Sequence, residues 1–312
     1  MRHKTAISWI ALTAFAALAI FYVYANWQEL ASVRLVTPAA ACWVAVCMAL
    51  RMTLRGFFQW QTMVALGCPI SCGDALRLNY AGAMMNMLLP MPVAPAYRAA
   101  YLKRLHNFPF SHFASTVAAL FVFYLAASCI LGLVGLIMLQ RSGQPAPTAI
   151  WAVLIAVFFA CGIPLLPKRW LSKVIPSSPR LGRILEGWSQ LMQNRRLLSL
   201  ASLVVVLSIA AGIAALYFAF RAFDFQIGIP GSMLLMSSQR LGSLVKLTPG
   251  AIGYQEMVSV YFATALRLTT AQAVIVLGMT RCINILVAIS LGLPSLWWLS
   301  HSAHESAAPN HE

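Results

Sequence analysis

Apolar residues run along this chain in long blocks, and polar residues collect in the gaps between them. A helix needs about 20 mostly apolar residues to cross a bilayer core. Blocks of that order lie at 6–25, 38–58, 113–139, 148–165, 197–220 and 271–299. The pattern predicts six membrane spans. The first block follows Arg2, His3 and Lys4 and ends at Val23-Tyr24-Ala25, a faint cleavage-like sequence. Its apolar run is longer than a signal-peptide core, so it reads as an uncleaved span.

Two further apolar segments are too short to cross with ease. The first, 75–89, follows a break at Gly67-Cys68-Pro69, and Ser71 and Asp74 fit a capping box at its start. It meets Leu89-Pro90-Met91-Pro92-Val93-Ala94-Pro95, then resumes through Tyr97-Arg98 to Lys103-Arg104. The second, 233–247, meets Thr248-Pro249-Gly250-Ala251-Ile252-Gly253 and resumes at Tyr254-Gln255-Glu256 as far as Arg267. Proline and glycine stop a helix at such places. Each pair therefore reads as a re-entrant hairpin of two half-helices, with breaks at Pro90, Pro92 and Pro95 and at Pro249, Gly250 and Gly253.

The fold expected is all-α: a polytopic transmembrane bundle of about six spans and two hairpins in an inverted repeat. It is one integral membrane domain over 1–312. A first half, 1–139, holds the hairpin 75–104, and a second, 148–299, holds the hairpin 233–267. Counting crossings from a cytoplasmic N-terminus brings the C-terminus back to the cytoplasm and makes the hairpins enter from opposite faces. Paired broken segments in corresponding halves point to a binding site near the midplane.

Composition agrees with a bilayer. Of 312 residues, 61% are hydrophobic and 9% charged, which excludes a soluble globular enzyme and a disordered chain. The formal net charge is +15. The stretch 167–196 carries Lys168, Arg169, Lys173, Arg180, Arg183, Arg195 and Arg196 against Glu186. It is expected to be a solvated cytoplasmic loop that sets orientation at a bacterial inner membrane, not a nucleic-acid site. The seven cysteines fall mostly in apolar stretches and read as small fillers, so neither a metal nor another cofactor is implied.

The sequence Asn86-Met87-Leu88-Leu89-Pro90, followed by Ala96-Tyr97-Arg98-Ala99 and Leu102-Lys103-Arg104, resembles one motif of the lysylphosphatidylglycerol synthase transmembrane-region family. Leu247-Thr248-Pro249-Gly250-Ala251-Ile252-Gly253-Tyr254-Gln255-Glu256 resembles its second. Arg51 and Arg281 stand in long spans where that family tends to place a membrane arginine. Where the family often carries Gly-Gly after the first proline, this chain has Val93-Ala94-Pro95. The resemblance implies a flippase-like domain that moves or binds polar lipids. The family's aminoacyl-transfer domain has no room here, so enzymatic activity is not expected.

Membrane-embedded charges mark function by default, because one at a helix centre costs about 2.5–3.5 kcal/mol on insertion scales. The candidates for a lipid head-group cavity are Arg51, Asn86, Arg98, Arg240, Lys246, Glu256 and Arg281. Guanidinium groups grip phosphate with paired hydrogen bonds, so an anionic membrane lipid is the expected partner. Half-helix N-termini at Tyr97 and at 252–254 would add partial positive charge. Each residue also has a plainer role: Arg55 reaching to the interface, Arg98 as a positive-inside residue, Asn86 satisfying broken backbone, Glu256 capping a half-helix or pairing with Arg240 or Lys246. The reading is a translocator of an anionic or polar lipid; the alternative is a non-transporting membrane partner of a lipid- or glycan-modifying enzyme docked through 167–196.

Overall fold

The computed structural model describes residues 24, 35–89, 93–144, 147–163, 179–244 and 253–305. These residues form ten α-helices and no strand. They are α1 (Pro38–Ala65), α2 (Cys72–Leu88), α3 (Val93–His106), α4 (Phe110–Arg141), α5 (Thr148–Gly162), α6 (Pro179–Gln193), α7 (Arg195–Ala222), α8 (Gly228–Gly242), α9 (Tyr254–Thr264) and α10 (Thr270–Glu305). Among them α1, α4, α7 and α10 are long and apolar enough to cross a membrane. The 15 residues of α5 rise about 22 Å, short of a full crossing. Apart from Tyr24, the expected span 6–25 lies outside the described residues. So do Pro90, Pro92, Lys246, Pro249 and Gly250.

Helix boundaries follow local chemistry. Pro38 opens α1, where a missing backbone donor costs nothing. The Ser71 hydroxyl caps α2 by accepting the Asp74 N–H at 3.0 Å, and it donates to the Asp74 carboxylate at 2.8 Å. Asp74 also pairs with Arg77 at 2.9 Å. The Asn194 side chain accepts the Leu197 N–H at 3.0 Å and starts α7. Gly253 takes φ 85° at the head of α9, a conformation that suits glycine. Pro95 corrects one expectation. It does not break the first hairpin but sits in the first turn of α3, which begins at Val93 rather than near Tyr97. Proline is tolerated there because first-turn N–H groups have no helical partner.

The long helices α1 and α7 pack antiparallel and form the most extensive contact in the bundle. Val36 and Thr37 donate to the Ala222 carbonyl at 2.8 and 3.1 Å. Trp43 stacks on Phe218 at 6.0 Å, and the Ser208 hydroxyl donates to the Arg51 carbonyl at 3.4 Å. Around this pair the halves exchange arms: α2 packs on α10, and α8 packs on α4. Each half thus has the order long helix, two short arms, long helix, with corresponding partners. An operation that exchanges the halves must carry α1 onto α7. Because those two run antiparallel, its axis lies across them, which is the geometry of an inverted repeat.

The arms of each hairpin fold back on each other. Ser238 on α8 donates to the Ser259 hydroxyl on α9 at 3.1 Å, and Gly242 faces Gln255. In the first hairpin, Gly82 on α2 lies against the Arg98 side chain on α3. By continuity with α1 and α7, the α2–α3 pair enters from one end of the bundle and α8–α9 from the other.

Small residues allow the exchanged arms to approach. A Cβ on Gly135 of α4 would lie 2.8 Å from the Pro230 carbonyl of α8. One on Gly292 of α10 would lie 2.5 Å from Met84 Cβ and 3.0 Å from the Tyr80 carbonyl of α2. The two glycines do the same work at corresponding seams, and their spacing equals that from Arg51 to Ser208. The Ser237 hydroxyl adds a bond across the α4–α8 seam to the Ser128 carbonyl at 2.6 Å. Apolar side chains such as Trp43, Phe159, Leu203, Leu286 and Trp297 remain exposed on the outer faces, as a lipid-facing surface requires.

The basic stretch 167–196 also departs from expectation, since 179–193 is helix and not solvated loop. Ile184, Trp188 and Leu191 fall at i, i+4 and i+7, one helical stripe. Trp188 and Leu191 are buried, and Ser115 of α4 donates to the Ile184 carbonyl at 2.8 Å.

Gly135→Leu and Gly292→Leu are each expected to lower the melting temperature in detergent, by overpacking worth about 1–3 kcal/mol. Gly278→Leu, at a position with open space, should leave it unchanged. Ser71→Ala should cost about 1 kcal/mol and accelerate hydrogen exchange in the first turn of α2.

Candidate functional site

Halfway along the bundle, where the inner ends of the arms meet the long helices, lies a cavity of about 310 Å³. That volume sits at the small end of ligand pockets and suits a head group rather than a whole lipid. From α1 it receives Arg51, Arg55 and Gln59; from α2 and α3, Asn79, Asn86 and Arg98; from α8, Gln239 and Arg240, with Ser243 at its C-cap. Tyr124 of α4, Gln255 of α9, and Arg281 and Asn284 of α10 complete its polar wall. A smaller chamber of about 30 Å³ shares Arg51, Gln239, Gln255, Arg281 and Asn284 and adds Glu256, Ser259 and Thr280.

Five arginines therefore face one space, although they come from α1, α3, α8 and α10. Specific contacts hold them. Arg98 donates to the Gln59 side-chain oxygen at 3.1 Å, and its guanidinium carbon lies 5.9 Å from the Phe113 ring centre. Gly82 makes room for its stem: a Cβ there would come within 2.7 Å of Arg98 Cδ. The Tyr124 ring lies beside both Arg55, at 5.8 Å, and Arg240, at 5.1 Å. A ring face attracts cations, which offsets part of the repulsion between the two.

The guanidinium groups retain unused donors. Arg51 Nε, Arg98 Nε, and Arg240 Nε and Nη2 are buried with no hydrogen-bond partner among the described residues. Among the described residues, no acid lines the larger cavity. Glu256, in the smaller chamber, accepts the Gly253 N–H at 2.7 Å and lies 3.9 Å from Arg281 Nε. It thus caps α9 as foreseen, and its cation among the described residues is Arg281 rather than Arg240; Lys246 lies outside them. A positive cavity walled by guanidinium groups and amides can hold an anion that presents several oxygens.

Of the residues singled out from sequence, Arg51, Asn86, Arg98, Arg240 and Arg281 reach the larger cavity, and Glu256 its neighbour. Pro95 also lines the cavity, although not as a helix break, and Gly253 stands at the head of α9. Arg55 belongs to the cavity instead of reaching for the interface. Its signal was present: Arg51, Arg55 and Gln59 stand four apart, on one face of a helix. Asn284 likewise follows Arg281 by three, and Gln239 precedes Arg240 on an otherwise apolar arm. Tyr124 carries no such signal, because its partners come from other helices.

Compared with known proteins, the chain matches the family described as lysylphosphatidylglycerol synthase TM region over residues 6–292. No curated protein matches it. The match covers nearly the whole chain, and it is to the membrane region named in that description rather than to a catalytic domain. A helical bundle with membrane-length apolar helices, exchanged hairpins and this match together place the chain in the lysylphosphatidylglycerol synthase TM region family.

Proposed function

We propose that this protein binds the anionic head group of a membrane lipid in its arginine-lined cavity and translocates that lipid across a bacterial inner membrane. The observation that carries the reading is the convergence of Arg51, Arg55, Arg98, Arg240 and Arg281 on one cavity with no acid among the described residues of its wall. In an apolar bundle such charges persist when they face water or a counter-charge. The counter-charge most available at a bilayer is lipid phosphate, and guanidinium fits it with paired hydrogen bonds.

The repeat supports transport rather than static binding. The hairpins enter from opposite ends, and their inner ends meet at the cavity. Rocking of one exchanged arm pair against the other would open the site to each face in turn. The acyl tails would stay in lipid beside the exposed apolar faces. The end carrying Lys103, Arg104, Arg195 and Arg196 is the cytoplasmic one by the positive-inside rule.

In proteoliposomes, the purified chain should move a fluorescent anionic phospholipid between leaflets, read as a growing fraction quenched by external dithionite. Arg240→Gln and Arg51→Gln should each weaken lipid binding about tenfold or more, the value of a charge-assisted hydrogen bond. No transport above protein-free vesicles, or full activity in both variants, would overturn the proposal. Glu256→Gln keeps an acceptor for Gly253 but removes the charge beside Arg281. It should tighten anionic lipid binding about two- to fivefold, the scale of a part-exposed ion pair, as measured by titration into nanodiscs.

A further inference from the structure

We infer that the ligand's anionic group carries at least two negative charges, as a phosphomonoester or pyrophosphate does, rather than the single charge of a phosphodiester. This deepens the lipid-binding reading and rests on it. The first ground is charge. Among the described residues, five guanidinium groups line the cavity and no carboxylate does. Glu256 is committed elsewhere, to the Gly253 N–H and to Arg281. When the ligand enters and displaces water, each cation left without an anion loses hydration with nothing in return. With Arg281 beside Glu256, four remain, Arg51, Arg55, Arg98 and Arg240, and one negative charge leaves three of them in that state.

The second ground is direction. Arg51 and Arg55 approach from α1, Arg98 from α3, Arg240 from α8 and Arg281 from α10. The donors without a partner among the described residues are Nε of Arg51 and Arg98, and Nε with Nη2 of Arg240. These atoms are buried, but the side chains that carry them line the cavity from separate helices, in both halves of the repeat. A phosphodiester offers two free oxygens that share one charge. A phosphomonoester offers three with nearly two charges near pH 8, and a pyrophosphate offers more oxygens over a longer span. Acceptors facing several ways can engage donors of both halves at once. The amides of Gln239, Gln255 and Asn284 remain for the uncharged part of the head group.

The test compares two lipids that share a glycerol head group and differ by one phosphomonoester. Phosphatidylglycerol and phosphatidylglycerol phosphate are titrated at pH 8 against the full chain in nanodiscs of neutral lipid, with inorganic pyrophosphate as a soluble competitor. The phosphomonoester lipid should bind at least tenfold more tightly, and pyrophosphate should displace it. Arg240→Gln should bring the two affinities within about threefold while the melting temperature holds. Arg55→Gln serves the same purpose should the first variant fail to fold. Equal affinities in the wild-type chain, or a preference that survives both substitutions, overturn the inference and leave the lipid-binding reading standing. Binding of neither lipid nor pyrophosphate overturns both. Binding of pyrophosphate alone upholds the polyanion chemistry, assigns it to a soluble ligand, and ends the lipid reading.

Discussion

The structure depends on one constraint: a guanidinium group inside an apolar bundle must have water or an anion to face. Arg51 stands near the middle of α1, at the crossing with α7, where no change of rotamer brings its charge to either end. Arg281 is similarly deep in α10. At about 2.5–3.5 kcal/mol for each such residue, a bundle with several cannot close tightly around them. It must keep a polar chamber at that depth, and the rest of the architecture serves to build one.

Broken hairpins are the means. An unbroken helix would fill the bundle's middle with side chains and satisfied backbone. Two arms that stop halfway leave space between their inner ends, and they bring Asn86, Arg98, Ser243 and Gln255 to it. The exchange of arms between halves then closes the walls: α2 leans on α10 through Gly292, and α8 on α4 through Gly135. Backbone polarity freed at such breaks persists in a membrane protein only beside protein or a wet cavity. The charges and the breaks therefore require each other.

Much of this was legible in the sequence. The apolar blocks marked α1, α4, α7 and α10 to within a few residues at most ends. The exceptions were the C-termini of α1 and α10, which run on by a turn or more because the flanking residues also favour helix. The two hairpins were visible from their length and their prolines, yet Pro95 misled, because proline at a helix start and proline that ends a helix look alike in sequence. The helix α6 hid inside a basic stretch whose charges outweighed the Ile184–Trp188–Leu191 stripe. Most cavity residues were legible because a charge in an apolar block is conspicuous. Tyr124 was not: its role between Arg55 and Arg240 arises only when α1, α4 and α8 meet.

The most direct test of the central claim is native mass spectrometry of the protein extracted from its membrane with its lipids attached. The account predicts that the wild-type chain retains a phosphate-bearing anionic lipid. A chain carrying both Arg51→Gln and Arg240→Gln should lose it while still melting cooperatively. Retention of zwitterionic lipids in proportion to their abundance, with no difference between the two chains, would contradict a phosphate site in the cavity.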